Sequence, residues 1–224
     1  KHKILVDTGI GTKFSEKYQE IYKIDQSKYN LTSSLEKYNL ETKDITDVIL
    51  THLHLDHAGG AVYNEGNKHK LTFPNAAHYV QKKHHEWALK PSKKDSGSFI
   101  REDFKTIEDQ GKLRLVDGYA KILPNIDVII SDGHTIGLQL VKISDGINTL
   151  IYCSDLIPFT SHIKIPYIPS YDIDPLTTIE EKEKLLTRAC NGDWILFFEH
   201  DPVTEAVKVE KTEKGYAVKE KVSL

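Results

Sequence analysis

Apolar residues come along this chain in short runs separated by polar stretches, and the spacing within each run predicts the element. "HKILV" and "TDVILT" are brief β-branched or aliphatic runs that predict strands, while "KFSEKYQEIY" and "SSLEKYN" between them carry helical spacing. Further on, "AAHYVQ" predicts a strand leading into a helix over "KKHHEWAL", and "KLRLV", "IDVIIS", "LQLVKIS" and "TLIYCSD" predict four successive strands, the last two joined through a "SDGIN" turn. "TTIEEKEKLLTRAC" places Ile179, Leu185, Leu186 and Ala189 on one face, with Thr177 as its cap and Gly192 as its stop. "DWILFFEHD" follows as a buried strand, and "EAVKVEKTEKGYAVKE" alternates around a Glu-Lys-Gly turn as a hairpin with a lysine-rich edge. The charged stretch "KPSKKDSGSFIRED" is the best candidate for a mobile loop, or simply a solvated connection.

This rhythm is α/β, and 224 residues suit one domain, so residues 1–224 are expected to form a single unit. Thirty Lys and Arg oppose 33 Asp and Glu, for a net charge of -3, so no global basic field draws in nucleic acid or an anionic membrane. Two cysteines, Cys153 and Cys190, are too few for a disulfide framework and suit a reducing, cytoplasmic setting. No apolar run reaches membrane-span length, so the chain reads as soluble. It contains no methionine and opens directly on a strand, from which a missing N-terminal segment is expected.

The chemistry concentrates in "THLHLDHAGG", residues 51–60, directly after the "DVILT" strand. Residues two apart in extended chain point the same way, so His52 and His54 converge, and a bend at Asp56 and His57 brings two more donors beside them. Imidazole and carboxylate together suit zinc and related divalent ions. Other apolar runs end likewise: "IISDGHT" on His134, "LIYCSD" on Asp155 and "ILFFEHD" on His200. Strand C-terminal ends are where α/β sheets hold their sites. His69, His78, His84 and His85 lack that setting and read as surface, with His78 partly buried packing.

The succession "HLHLDH", "GHT", "CSD", "EHD", with "VDTG" at residues 6–9 upstream, resembles the metallo-β-lactamase fold superfamily over essentially the whole chain. The resemblance implies a four-layer αβ/βα sandwich, of which the N-terminal strands would here be missing, and two metal ions at one edge. His52, His54 and His134 would hold the first ion, Asp56, His57 and His200 the second, and Asp155 would bridge them. Asp7 would orient a histidine ligand or serve as a buried loop-forming residue. Two such ions share a hydroxide that attacks a carbonyl or phosphoryl group, and Asp56 would add a proton shuttle. Zinc is the leading metal, with manganese, iron or cobalt as alternatives.

Within the superfamily, His54 argues against oxygen-reducing diiron relatives, which place a glutamate there, and Asp155 argues against the β-lactamases that place a cysteine there. "FPNAAHYVQ", "DGHTIGLQ", "YDIDP" and the run from Asp155 to His162 are similar to acyl-homoserine lactonases and methyl parathion hydrolase-like proteins. Ile136 and Leu138 depart from the His-Thr-Pro-Gly-His form of those enzymes. The resemblance therefore implies a hydrolase of a small ester-like substrate, a lactone first and a phosphotriester second, the contrasting class being a non-catalytic metal-binding protein. Phe159, His162, Tyr167 and Tyr171 either line its substrate pocket or pack the loop that carries them. Related enzymes are often homodimers.

Overall fold

The computed structural model describes residues 1–224, and their contacts divide them into two compact units, one of residues 1–80 and 88–115 and the other of 81–87 and 116–224.

The first unit is built on a four-stranded sheet. β1 (Ile4–Val6), β2 (Asp47–Ile49) and β5 (Ala77–Gln81) pair in parallel, with Val6 opposite Ile49 and Ile49 opposite Tyr79, and β6 (Leu113–Val116) completes the order β1-β2-β5-β6. Parallel strands are covered on both faces, which explains why all three residues of β2 are buried, Asp47 included. Val48, Leu50, Leu53, Phe73, Val80, Phe104 and Ile107 form the core beneath it. Helices α1 (Glu16–Tyr22) and α2 (Leu31–Glu36) lie between β1 and β2, as their periodicity predicts.

After β2 comes α3 (Leu55–Ala58), then a hairpin of β3 (Val62–Glu65) and β4 (Lys68–Leu71) that the sequence pattern did not announce, because its outward residues are polar on both strands. Gly60 is required where α3 runs out: an added Cβ would stand 2.0 Å from the Thr8 carbonyl oxygen. This close approach ties the "VDTG" loop to the segment after His57, and Thr8 N donates to the His57 carbonyl at 2.7 Å.

The charged stretch from residue 90 to 103, expected to be a mobile loop or a solvated connection, is a folded connection with buried charges. A 3-10 turn occupies Ser96–Ser98, α5 (Arg101–Asp109) begins within it, and Asp95 and Asp103 are buried. Asp103 pairs with buried Lys13 at 2.7 Å, and Lys13 Nζ also donates to the Gly59 and Val62 carbonyls. Burial raises the Asp103 carboxyl to about 6, with Lys13 opposing. The charges in this stretch suggested solvation, but one of them is spent on an internal ion pair whose partner lies far away in sequence.

His78 is fully buried on β5, not partly exposed, and His84 and His85 are buried as well; only His69 is exposed. His84 satisfies Nδ1 on the Ile136 carbonyl at 2.7 Å. Each histidine lies on an element whose inward face a short window could not fix. Burial lowers the His78 imidazole to about 4 from 6.5, the Ala76 backbone opposing and Lys112 adding to the shift. The unfolded chain therefore binds a proton that the folded chain refuses. Stability from this source is complete above about pH 6.5 and falls as the pH drops towards 4, by about 2 kcal/mol at pH 5. Urea midpoints should show His78→Leu losing less stability than the parent between pH 7.5 and 5, and equal losses would contradict this account.

The second unit holds a seven-stranded sheet in the order β13-β12-β11-β10-β9-β8-β7. Its strands are β7 (Ala120–Leu123), β8 (Ile126–Ser131), β9 (Leu138–Ser144), β10 (Thr149–Tyr152), β11 (Ile195–Phe197), β12 (Ala206–Thr212) and β13 (Gly215–Val222). Neighbours are antiparallel except β10 and β11, which are parallel and are joined through α6 (Pro175–Gly192), since parallel strands need a crossover. Leu185, Leu186 and Ala189 of α6 pack with Leu140, Ile151, Leu196 and Phe198. Helix α6 starts earlier than predicted: Asp174 is the cap and accepts from Thr177 N at 3.1 Å, so Thr177 is the capped residue. Pro175 explains the shift, because its fixed φ suits the first helical position. Gly192 is the last helical residue, and Asp193 at φ 51° makes the left-handed exit. The "KTEKG" hairpin forms as expected, with β13 at the sheet edge. No helix is long and apolar enough to cross a membrane.

Candidate metal centre

In the first unit the predicted donors gather where β2 ends. Asp7, at φ 54°, leaves β1 and turns its carboxylate across the sheet end. Its Oδ1 accepts from Thr51 N at 2.7 Å, and its Oδ2 accepts from Thr51 Oγ1 at 2.7 Å and from His57 Nδ1 at 2.9 Å. A carboxylate accepts only, so the Thr51 hydroxyl proton is committed to Asp7 and Thr51 Oγ1 accepts from His52 Nδ1, 3.0 Å away. Both His52 and His57 thus carry their proton on Nδ1 and present Nε2 as the basic nitrogen.

His52 Nε2 faces His54 Nδ1 at 3.0 Å, and the His52 and His57 rings have centroids 4.0 Å apart. Two imidazole nitrogens at such a separation share either a proton or a cation. His54 is the residue before α3 and lies edge-on to Phe99, with ring centroids 4.9 Å apart. The first turn of α3 brings its two polar side chains together with unequal exposure: His57 is buried, whereas the Asp56 carboxylate is 43% exposed and reaches to 3.7 Å from His57 Nε2. His52, His54 and His57 are all buried.

The second unit assembles its donors from three strand ends. His134 follows β8 on a loop that α6 holds: Glu181 accepts from Ser131 Oγ at 2.5 Å and from the backbone N–H groups of Asp132 and Gly133. Gly133 allows the contact, since a Cβ there would meet Thr178 Oγ1 at 2.4 Å. His134 Nδ1 donates to Asp172 Oδ1 at 3.0 Å, and Asp172 Oδ2 accepts from Thr178 Oγ1 at 2.8 Å. His134 Nε2 is therefore its basic nitrogen, and it lies 3.2 Å from Asp155 Oδ2.

Asp155 sits in a 3-10 turn (Ser154–Leu156) just past β10, and its other oxygen, Oδ1, is 3.1 Å from His200 Nε2, just past β11. One buried carboxylate thus divides its oxygens between two imidazoles from separate strands. Asp201, next to His200, accepts from Thr160 N and Oγ1 and so tethers the segment that follows Asp155.

The residues read as pocket-lining fall into two groups. Phe159 stacks loosely with His162 and His200, with centroids 5.5 and 6.0 Å apart, and the half-exposed Tyr171 ring stands edge-on to His134 at 5.6 Å. Tyr167 instead lies exposed under the Lys164 ammonium, 5.1 Å from its ring centroid. Burial, reinforced by the Lys182 charge, lowers the His162 imidazole from its ordinary value, with Asp172 and Asp155 opposing.

Sequence reasoning did not single out Asp172, Thr178, Glu181, Lys182 or Glu199. Lys182 is fully buried in α6 and donates to the carbonyls of Lys164, Ile165 and Tyr167, fixing that loop. Burial lowers its ammonium to about 8, Asp172 opposing. These are ordinary polar residues of an amphipathic helix and a loop, and nothing in their spacing marks them. Glu199 is adjacent to His200 at the same strand end, where the histidine alone matches the family pattern. The donor set as a whole suits a divalent cation: imidazoles aimed by carboxylates behind them, and a carboxylate placed between two imidazoles.

Sequence comparison defines the class. The Metallo-beta-lactamase superfamily profile matches residues 1–200, and the chain belongs to that superfamily. An N-acyl homoserine lactonase, AttM, of Azorhizobium caulinodans is 29% identical over 173 residues, which are 73% of this chain and 60% of the relative. An N-acyl homoserine lactonase of Bacillus thuringiensis is 22% identical over 76% of this chain and 62% of its own. The chain therefore spans about 60% of the length of the curated relatives it matches. Among solved structures, a probable metal-dependent hydrolase from Staphylococcus aureus superimposes with a TM-score of 0.86 at 26% identity, covering 100% of this chain and 80% of that one. AidC, a dizinc quorum-quenching lactonase in complex with a product N-acyl-homoserine, gives 0.80 at 25% identity, over 99% of this chain and 76% of its own. The fold is thus the α/β metallo-β-lactamase fold with mixed sheets.

Proposed function

We propose that the chain holds two divalent metal ions and hydrolyses a lactone, an N-acyl homoserine lactone being the leading substrate. His52, His54 and His134 would hold one ion, Asp56, His57 and His200 the other, and Asp155 would serve both. The observation that carries this reading is the Asp155 carboxylate, with one oxygen 3.2 Å from His134 Nε2 and the other 3.1 Å from His200 Nε2. The lactonase relatives support the substrate class, and the dizinc neighbour supports zinc.

When bound, the ions would supply an activated water at neutral pH and polarise the substrate carbonyl. The remaining steps belong to the chain. Asp7 and Asp172 keep the Nδ1 protons of His57 and His134 in place, so that Nε2 stays available. Tyr171, half-exposed beside His134, is the hydroxyl we assign to the substrate carbonyl oxygen, while Phe159 walls the His200 side. Water adds to the carbonyl carbon, the ring carbon–oxygen bond breaks, and the departing alkoxide needs a proton. Asp56, the exposed carboxylate of the set, is assigned to take up the proton that the attacking water gives off and to pass it to that alkoxide.

A panel of N-acyl homoserine lactones and aryl phosphotriesters tests the proposal. Lactone opening should be lost with a chelator and restored by Zn²⁺. Phosphotriester turnover without lactone opening would reverse the substrate assignment, and bound metal without any turnover would leave a metal-binding protein.

A further inference from the structure

We infer that Glu199 is an eighth metal donor, ligating the ion assigned to His200 alongside the Asp155 carboxylate. This inference rests on the dinuclear reading above. Its geometric basis lies wholly within the second unit: the ligand atoms of Asp155, Glu199 and His200 all lie within 4.8 Å of one another. Donors around one cation with ~2.1 Å bonds stand at most about 4.2 Å apart, a spread that the 4.8 Å limit encloses.

Position and burial agree with ligation. Glu199 follows Phe198, whose backbone N–H bonds the Glu205 carbonyl at 2.8 Å, so the strand end that presents His200 also fixes Glu199. Both Glu199 carboxylate oxygens are shielded from water. A carboxylate withdrawn from solvent gains far more from a neighbouring cation than an exposed one does.

Charge balance gives the inference its consequence. Two divalent ions bring four positive charges, and Asp56 and Asp155 return only two. Glu199 supplies a third negative charge and a further hard oxygen donor, which favours manganese or iron at this ion relative to the same set without it.

Metal titration of the apo-protein tests this without any substrate. Wild-type chain should take up two Zn²⁺ or two Mn²⁺, as followed by competition with a chromophoric chelator. Glu199→Gln, nearly isosteric, should keep the tighter ion and bind the second at least tenfold more weakly, with a larger loss for Mn²⁺ than for Zn²⁺. Glu199→Ala provides a second variant should the amide misfold, and circular dichroism checks both. Two ions held by folded variants with unchanged affinity would overturn the role of Glu199 while leaving the dinuclear reading intact. A wild-type chain that binds no second ion would overturn both.

Discussion

Asp155→Asn is expected to lower metal-dependent kcat/KM by at least about a thousandfold and to release one or both ions, because a single amide cannot offer two anionic oxygens to two cations. In the structure Asp155 Oδ2 and Oδ1 stand 3.2 and 3.1 Å from Nε2 of His134 and His200, so the substitution breaks a carboxylate contact that both of these histidines share. The amide nitrogen would also place hydrogens against one of the two imidazoles. Steady-state kinetics with metal analysis of the same sample separates loss of metal from loss of chemistry. Turnover within tenfold of the parent would contradict the assignment of Asp155.

Asp172→Asn should have the next largest effect, a loss of about 10- to 100-fold in metal affinity and activity although residue 172 is not among the assigned ligands. Asp172 accepts from His134 Nδ1 and from Thr178 Oγ1, a pattern that fixes the histidine tautomer. Asparagine can turn its amide nitrogen to His134, drawing the ring proton onto Nε2 and blocking the atom that faces Asp155. Thr178→Val removes the outer hydrogen bond but leaves the carboxylate, so it should cost less than Asp172→Asn. Equal effects would show that the helix contact, not the tautomer, is what matters. Asp7 stands behind His57 in the same relation, and Asp7→Asn should weaken metal binding in parallel.

What was legible in the sequence divides along physical lines. Strand ends are readable because buried parallel or central strands are continuous apolar runs, and a polar residue that closes such a run is conspicuous. His52, His54 and His57 could therefore be grouped, as could His134, Asp155 and His200, and the structure brings each group together within its own unit. The residues that aim the donors could not be read this way. Asp172 lies 38 positions from the histidine it orients, and Thr178 and Glu181 sit on the polar side of a helix pattern that only packing resolves.

Buried charge was the other blind spot. Lys13, Asp103 and Lys182 look like surface residues by type, yet each is sheltered and bonded to partners distant in the chain. The same holds for His78, His84 and His85, whose burial depends on which way β5 and the following helix α4 (Lys82–Leu89) face. The start of α6 was misplaced by three residues because Thr177 resembles a cap until Pro175 is weighed. Local pattern specifies which segments are strands and helices, and tertiary pairing decides which polar side chains are enclosed.

Anomalous diffraction at the zinc edge, from crystals of the chain grown with Zn²⁺, tests the central claim most directly. Two peaks are expected, one against His52, His54 and His134 and one against Asp56, His57 and His200, with Asp155 touching both. No peak at these side chains, or a single ion held elsewhere, would contradict the account.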